Sequence, residues 1–319
     1  MTAERALGRS GLKAPPMMLG GNVFGWTANR DATFAVLDAY VAGGGRLIDT
    51  ADMYSSWIPG LQGGESETLI GEWIASRQSR DKLMIATKVG RAAGDLGGLS
   101  RRAIMAGIDG SLRRLQTDYV DIYFAHLDDM GTPLEETVEA FGALVKAGKV
   151  RALGASHYDA ARLAEARAMT DAAGIARYDL LQPLYNLMAR PAFEGPLQDY
   201  CVTHDIAVTP FWALASGFLS GKYRSEADLA GHARAEEVRP YLTPLGMGVL
   251  AALDQVAAET GTNCAQVALA WLNSRPAILA PIVSATNARQ VADLLAAMRL
   301  SLTPAQIALL DAASDQSAI

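Results

Sequence analysis

Short apolar runs and longer amphipathic stretches alternate along the whole chain. The runs, rich in Val, Ile and Leu, fall at residues 17–19, 46–48, 83–89, 120–125, 150–155, 180–183, 206–211 and 279–284. Most neighbours lie about thirty residues apart, the size of a βαβ unit. Nearly continuous apolar character is what a parallel sheet covered on both faces requires. The stretches between the runs carry helical spacing and readable ends. Thr132-Pro133-Leu134-Glu135 combines an N-cap Thr, a first-turn Pro and a capping-box Glu. Behind it Leu134, Val138, Phe141 and Val145 form one apolar stripe, and Gly148 stops the helix. Ser100 similarly precedes Ile104, Ile108, Leu112 and Leu115, and Thr303-Pro304-Ala305-Gln306 opens a last helix on the outside.

Two segments break this rhythm. Residues 3–16, with Gly8-Arg9-Ser10-Gly11 at the centre, read as a hairpin ahead of the first barrel strand. The stretch from 217 to about 261 is too long for an ordinary barrel connection. It contains a helical part at 245–258 and is expected to reach over one end of the barrel. The pattern therefore predicts an α/β fold, a (β/α)8 TIM barrel with an N-terminal hairpin and extra helices, as a single domain over 1–319. A doubly wound sheet is the alternative. No G-x-G-x-x-G follows any of the runs, which removes the usual Rossmann phosphate turn.

Composition narrows the class of function. The chain has 319 residues, 50% hydrophobic and 19% charged, enough apolar material for a large core. A formal net charge of −6 gives no global basic surface for nucleic acid or acidic membrane. No apolar run reaches membrane-spanning length. The start, Met1-Thr2-Ala3-Glu4-Arg5, lacks the basic-then-apolar layout of a signal peptide. Cys201 and Cys264 are far apart without metal-ligand spacing, so reduced, partly buried thiols and no metal are expected. A cytoplasmic protein fits these features.

In a barrel of this kind chemistry sits at the C-terminal ends of the strands. Asp49 ends the second run, Lys88 the third, His126 the fourth, Ser156 the fifth and Gln182 the sixth, with Tyr54 in the loop after Asp49. A lysine among apolar residues must be neutral, paired or functional, since a buried unpaired ammonium is costly. Asp49 is its natural partner. A tyrosine beside that ammonium is expected to have its pKa lowered from about 10 and to donate a proton to a carbonyl oxygen. His126 could orient that carbonyl. Each group alone also has a structural reading, as a barrel ion pair, a satisfied core histidine or packing.

In these residues the chain resembles the aldo-keto reductase superfamily, over nearly its whole length. Asp49-Thr50-Ala51-Asp52-Met53-Tyr54, Ile85-Ala86-Thr87-Lys88, Asp121-Ile122-Tyr123-Phe124-Ala125-His126, Gly154-Ala155-Ser156 and Gln182-Pro183-Leu184-Tyr185-Asn186 follow the family's order and spacing. The resemblance implies a catalytic tetrad of Asp49, Tyr54, Lys88 and His126, with Tyr54 as general acid and hydride from a nicotinamide. It implies that Ser156 and Gln182 hold the carboxamide and that Phe211 stacks on the ring. The run Phe211-Trp212-Ala213-Leu214-Ala215-Ser216-Gly217, continuing to Lys222, would lie along the nicotinamide ribose and pyrophosphate. The turn from Ser284 leads to Thr286, Arg289 and Gln290, which would approach an adenosine 2′-phosphate, and to Asp293 near adenine. Arg289 favours NADP(H) over NAD(H).

Three positions depart from the pattern. His157 stands where Asn is frequent, Leu294 where an adenine-binding Asn is common, and Trp212-Ala213 replaces Ser-Pro. Trp26 and Trp57 are expected to wall a substrate pocket, and 57–64 to form a Gly- and Pro-rich gate beside Tyr54. Little chain follows the last helix, so the pocket is expected to be open and broad for aldehydes and ketones, or for alcohols in reverse. The Gly221-Lys222-Tyr223 and 286–290 regions also resemble potassium-channel β-subunits, which share fold and cofactor, so a redox-sensing regulatory subunit is the alternative. The lack of an added N-terminal segment favours the enzyme. A barrel that binds a dinucleotide without turnover is a third reading.

Overall fold

The computed structural model describes residues 4–92, 94 and 97–316. Two short strands come first, β1 (Arg5–Ala6) and β2 (Lys13–Ala14), paired antiparallel as the expected hairpin. The first residue expected for it, Ala3, and Met1 and Thr2 lie outside the described residues. Then follow β3 (Met18–Gly20), β4 (Leu47–Asp49), β5 (Met84–Val89), β6 (Val120–Ala125), β7 (Val150–Ser156), β8 (Tyr178–Gln182), β9 (Ala207–Val208) and β10 (Ile282–Val283). All pairings among these eight are parallel, in the order β10-β3-β4-β5-β6-β7-β8-β9.

The two ends of that sheet meet. Val208 N donates to Ala277 O at 2.9 Å, Leu279 N to Val208 O at 2.8 Å and Ile282 N to Pro210 O at 2.9 Å. These bonds close the barrel between β9 and the approach to β10, which a doubly wound sheet could not do. Helices follow the strands in turn: α1 (Arg30–Ala42), α2 (Glu65–Arg77), α3 (Arg101–Leu115), α4 (Leu134–Lys146), α5 (Ala160–Ala173) and α6 (Pro196–Thr203). After β9 come α7 (Ala235–Val238), α8 (Pro244–Thr260) and α9 (Cys264–Asn273). After β10 come α10 (Ala288–Ala297) and α11 (Pro304–Ala313), the last packed on α8. Among the described residues no helix is long and apolar enough to cross a membrane.

The caps show where local sequence decides and where it does not. Ser100 accepts from Ala103 N, and Thr303 with Gln306 forms a capping box. The box expected at Thr132 and Glu135 does not form. The Thr132 hydroxyl donates to Asp129 Oδ2 at 2.7 Å, and Pro133 stands at the N-cap without a side-chain bond. The helix begins one residue later than the box requires, so Thr132 is not at the N-cap.

Two apolar clusters follow the pleat. Met18, Leu47, Met84, Ala86, Ile122, Phe124, Ala152, Leu180 and Ile282 fill the barrel interior, closed below by Leu7 and Ala14 of the hairpin. The alternate residues Leu19, Ile48, Ile85, Tyr123, Leu153, Leu181 and Val283 pack outward against the helices. Gly154 is needed inside the barrel, because a Cβ there would lie 2.2 Å from the Phe124 ring. On β8 the register slips between Leu153 and Gly154 of its partner, leaving Asp179 unpaired. That bulge turns Tyr178 outward yet Leu180 inward, and so sets the direction of Gln182.

Candidate active site

Continuing the inner period by one more position on each strand gives the polar groups at the barrel mouth. Leu47 is followed by Asp49, Ala86 by Lys88, Phe124 by His126, Gly154 by Ser156 and Leu180 by Gln182. Tyr54 joins them from the loop after β4. That loop is tied to β5 by Thr50 N to Ala86 O at 2.9 Å and Asp52 N to Lys88 O at 3.3 Å. Two residues unnoticed in the sequence brace it. Thr50 Oγ1 donates to Ser66 Oγ at 2.8 Å, which donates to Gly21 O at 2.8 Å. Ser55, buried with φ of 79°, puts a left-handed turn directly after Tyr54 and donates to Phe24 O at 3.3 Å.

Lys88 is fully buried and every N–H of its ammonium is used. Its Nζ donates to Asp49 Oδ2 at 2.6 Å, to Thr50 O at 2.8 Å and to Tyr54 Oη at 2.6 Å. Tyr54 in turn donates to Asp49 Oδ2 at 3.0 Å, closing a triangle. Burial such as this is tolerable for an ion pair only when the remaining donors are satisfied, as they are here. Gln182 Nε2 reaches Asp49 Oδ1 at 3.1 Å, and Ser156 Oγ donates to Gln182 O at 2.8 Å. His126 lies with its ring centroid 6.1 Å from that of Tyr54, its Nδ1 buried without a partner among the described residues.

Burial raises the Tyr54 phenol well above its ordinary pKa, and Asp49 adds to this as a charge and as acceptor of the phenolic proton. The direction is opposite to that expected from Lys88 alone. Asp49 neutralises the ammonium, so burial decides. Burial also lowers Lys88, against the pull of Asp49. His126 is held well below 6.5 by burial, then by the charges of Lys88 and Arg91, so its imidazole is neutral. The result is a protonated phenol beside a neutral imidazole at the opening of an apolar barrel.

The remaining expected residues surround this centre. Trp57 packs edge-on to Tyr54 at 5.9 Å and to Trp26 at 5.9 Å, and Arg234 from the long insertion lies 5.7 Å from the Trp26 ring centroid. The insertion thus reaches the mouth, as its length predicts. Phe211 lies 5.3 Å from His157 and 6.4 Å from Trp212, ring to ring. Trp212 is left-handed at φ of 54°, its carbonyl held by Asn186 Nδ2 at 2.9 Å, while Ala213 is buried and Leu214 half-buried. Ala215, Ser216 and Gly217 are also left-handed, and Ser216 Oγ is buried without a partner among the described residues. Lys222 lies over the Tyr223 ring at 4.7 Å.

Ser284 Oγ bonds Asn22 Oδ1. Thr286 N donates to Gln290 Oε1 at 2.8 Å, and Asn287 caps α10 by accepting from Gln290 N. Arg289 and Asp293 are exposed on that helix, and Leu294 is buried. The Ser216 hydroxyl, the cations Lys222 and Arg289 and the α10 N-terminus could each donate to phosphate oxygens. Among the described residues no group of three or more His, Cys, Asp or Glu could hold a metal ion.

A model described as the Aldo/keto reductase family matches residues 16–315. An uncharacterized oxidoreductase, YrpG, of Bacillus subtilis is 32% identical over 93% of this chain and 91% of its own length. A putative aryl-alcohol dehydrogenase, AAD14, of Saccharomyces cerevisiae is 30% identical over 95% of this chain and 84% of its own. A probable voltage-gated potassium channel subunit beta of Arabidopsis thaliana is 30% identical over 89% and 88%.

Proposed function

The chain belongs to the aldo/keto reductase family, and from that premise we propose that it is an NADP(H)-preferring carbonyl reductase in which Tyr54 is the general acid. As a member of this family it is an oxidoreductase enzyme. The observation that carries the finer reading is the Tyr54 hydroxyl held 2.6 Å from Lys88 Nζ and 3.0 Å from Asp49 Oδ2 at the barrel mouth. A phenol placed in this way has one proton to give and a neighbouring ammonium to stabilise the oxygen left behind.

In this reading the neutral His126 offers a donor that orients the substrate oxygen toward Tyr54. Lys88 stabilises the phenolate as the proton leaves, and Asp49 keeps Lys88 charged. Ser156 and Gln182 would hold the nicotinamide carboxamide, and Phe211 the face of the ring. Trp212, Ala213, Leu214, Gly217 and Lys222 would line the ribose and pyrophosphate, with Ser284 at the turn that follows. Thr286, Arg289 and Gln290 would take the 2′-phosphate and Asp293 the adenine. A bound nicotinamide supplies or accepts the hydride. Trp26 and Trp57 line the approach for a small carbonyl or alcohol substrate. The whole chain acts as one cytoplasmic domain.

The test is NADPH oxidation with a panel of aromatic and aliphatic aldehydes, comparing wild type with Tyr54→Phe. A loss of several orders of magnitude in turnover with unchanged NADPH affinity supports the reading. Equal turnover by the variant removes Tyr54 from the proton transfer. The relative named as a channel β-subunit motivates a second reading, a nicotinamide-binding regulatory subunit. NADPH binding with no reduction of any aldehyde favours it.

A further inference from the structure

We propose that the barrel mouth takes an aryl carbonyl compound bearing a carboxylate, its ring against Trp57 and Trp26 and its carboxylate on the guanidinium of Arg91. The inference rests on the reductase reading of Tyr54 and concerns what that site selects.

Arg91 stands two residues past the end of β5, and its Nε donates to the backbone oxygen of His126 at 3.1 Å. That bond ties the guanidinium to the strand end carrying His126 and uses one of its five N–H donors. Among the described residues no carboxylate takes the others. The acids of the neighbouring loop after β6 are committed elsewhere. Asp128 pairs with Arg162 at 2.9 Å, and Asp129 accepts from Leu99 N at 2.7 Å, Gly131 N at 2.9 Å and the Thr132 hydroxyl at 2.7 Å. The positive field of Arg91 acts on Tyr54, His126 and His157, three groups around one opening. Arg234, beside Trp26, brings a second guanidinium to the same opening. One planar guanidinium whose terminal nitrogens have no partner among the described residues matches a single carboxylate, end-on and bidentate.

The aryl part follows from the indoles. Trp57 runs outward from the acid, at 71° to Tyr54 and 86° to Trp26, and is 43% exposed. An exposed indole wall leading to a reactive hydroxyl offers an aromatic substrate the offset and edge contacts that rings prefer.

The test compares 3- and 4-carboxybenzaldehyde with their methyl esters, which keep the ring and lose the charge. The readout is the ratio of kcat/KM for acid over ester. We expect at least tenfold in wild type, close to one in Arg91→Met, and an intermediate value in Arg91→Lys, which keeps the charge without the fork. A wild-type ratio near one, or one unchanged in Arg91→Met, overturns the proposal. The aryl half is read from 4-carboxybenzaldehyde against succinic semialdehyde. That preference should fall at least tenfold in Trp57→Ala, and an unchanged preference overturns it. If no aldehyde is turned over, the reductase reading fails, and benzoate against benzamide binding by tryptophan fluorescence decides this proposal instead. Benzoate bound at least tenfold more weakly by Arg91→Met supports it, and equal binding overturns it.

Discussion

Gln182 donates from Nε2 to Asp49 Oδ1 across the barrel mouth at 3.1 Å, linking β8 to β4. Asp49 therefore accepts from three side chains, Lys88, Tyr54 and Gln182. The backbone carbonyl of Gln182 accepts from Ser156 Oγ, while its side-chain oxygen has no donor among the described residues.

Gln182→Glu would set a second carboxylate against Asp49. Two carboxylates in contact raise the pKa of the pair, so the variant holds a shared proton at low pH and must carry two negative charges at high pH. The folded-state pKa is then above the unfolded one, and stability present at low pH is lost as pH rises through it. We expect the variant to melt near wild type at pH 5 and below it at pH 8, with NADPH affinity falling in parallel. Coincident melting curves at both values would mean that the Gln182–Asp49 bond is incidental.

Removing one partner of the buried pair should cost more than removing both. Lys88→Met leaves the Asp49 carboxylate in the barrel without its ammonium, a loss of about 3–5 kcal/mol for a buried pair. Adding Asp49→Asn to Lys88→Met should recover much of that stability, while activity stays at the single-variant level because the phenolate has lost its cation. Denaturant titration and turnover are the paired measurements. A double variant no more stable than Lys88→Met would show that the two charges are not thermodynamically coupled.

The pH profile follows from two directions. The Tyr54 phenol is raised, so it stays protonated through the neutral range, and His126 is lowered well below 6.5, so no imidazole titrates there. Reduction should therefore show a flat kcat/KM between about pH 6 and pH 9. Alcohol oxidation needs the phenolate and should rise with pH over the same interval, about tenfold per pH step when the acid is far above ambient pH. A limb near pH 6.5 in reduction that disappears in His126→Gln would show an imidazolium in the mechanism.

Arg289 is the sequence's argument for NADP(H), and the structure leaves it exposed at the first turn of α10 without an ion pair among the described residues. A charge-assisted bond to a 2′-phosphate is worth about 1.5–3 kcal/mol, or roughly tenfold and upward in affinity. Arg289→Glu should raise the KM for NADPH at least tenfold and leave NADH within about twofold. Equal changes for both nucleotides would make Arg289 a solvated surface charge.

Much of this site was legible because a strand has period two. Once residue 47 points inward, residue 49 must, and the same step delivers Lys88 and Ser156. Gln182 was found by its position after an apolar run, but its direction depends on the bulge at Asp179, which no local signal announces. Arg91 lies beyond its strand, where no run pattern singles it out, and only the folded bond to His126 O ties it to that strand end. The Tyr54 shift was expected with the wrong sign, since a sequence shows Lys88 nearby but not how fully Asp49 cancels it. The capping box at Thr132 is absent because the helix starts at Leu134, with Pro133 rather than Thr132 at the N-cap.

Asp52 offers the sharpest stability test, because burial and the nearby Glu67 carboxylate push its pKa up to about 7, against the pull of Arg114. Its Oδ1 is buried without a partner among the described residues. The folded value lies above the unfolded one, so the folded state binds the extra proton between about pH 4 and pH 7. The stability this gives is complete below the unfolded pKa and is lost as pH rises through 7. Asp52→Asn keeps the shape and removes the charge. Relative to wild type it should gain on the order of 2 kcal/mol between pH 5 and pH 8, read as a Tm difference that opens with pH. A difference that is the same at both pH values would show that Asp52 is ionised throughout, held by Arg114 and Lys88 against the cost of burial.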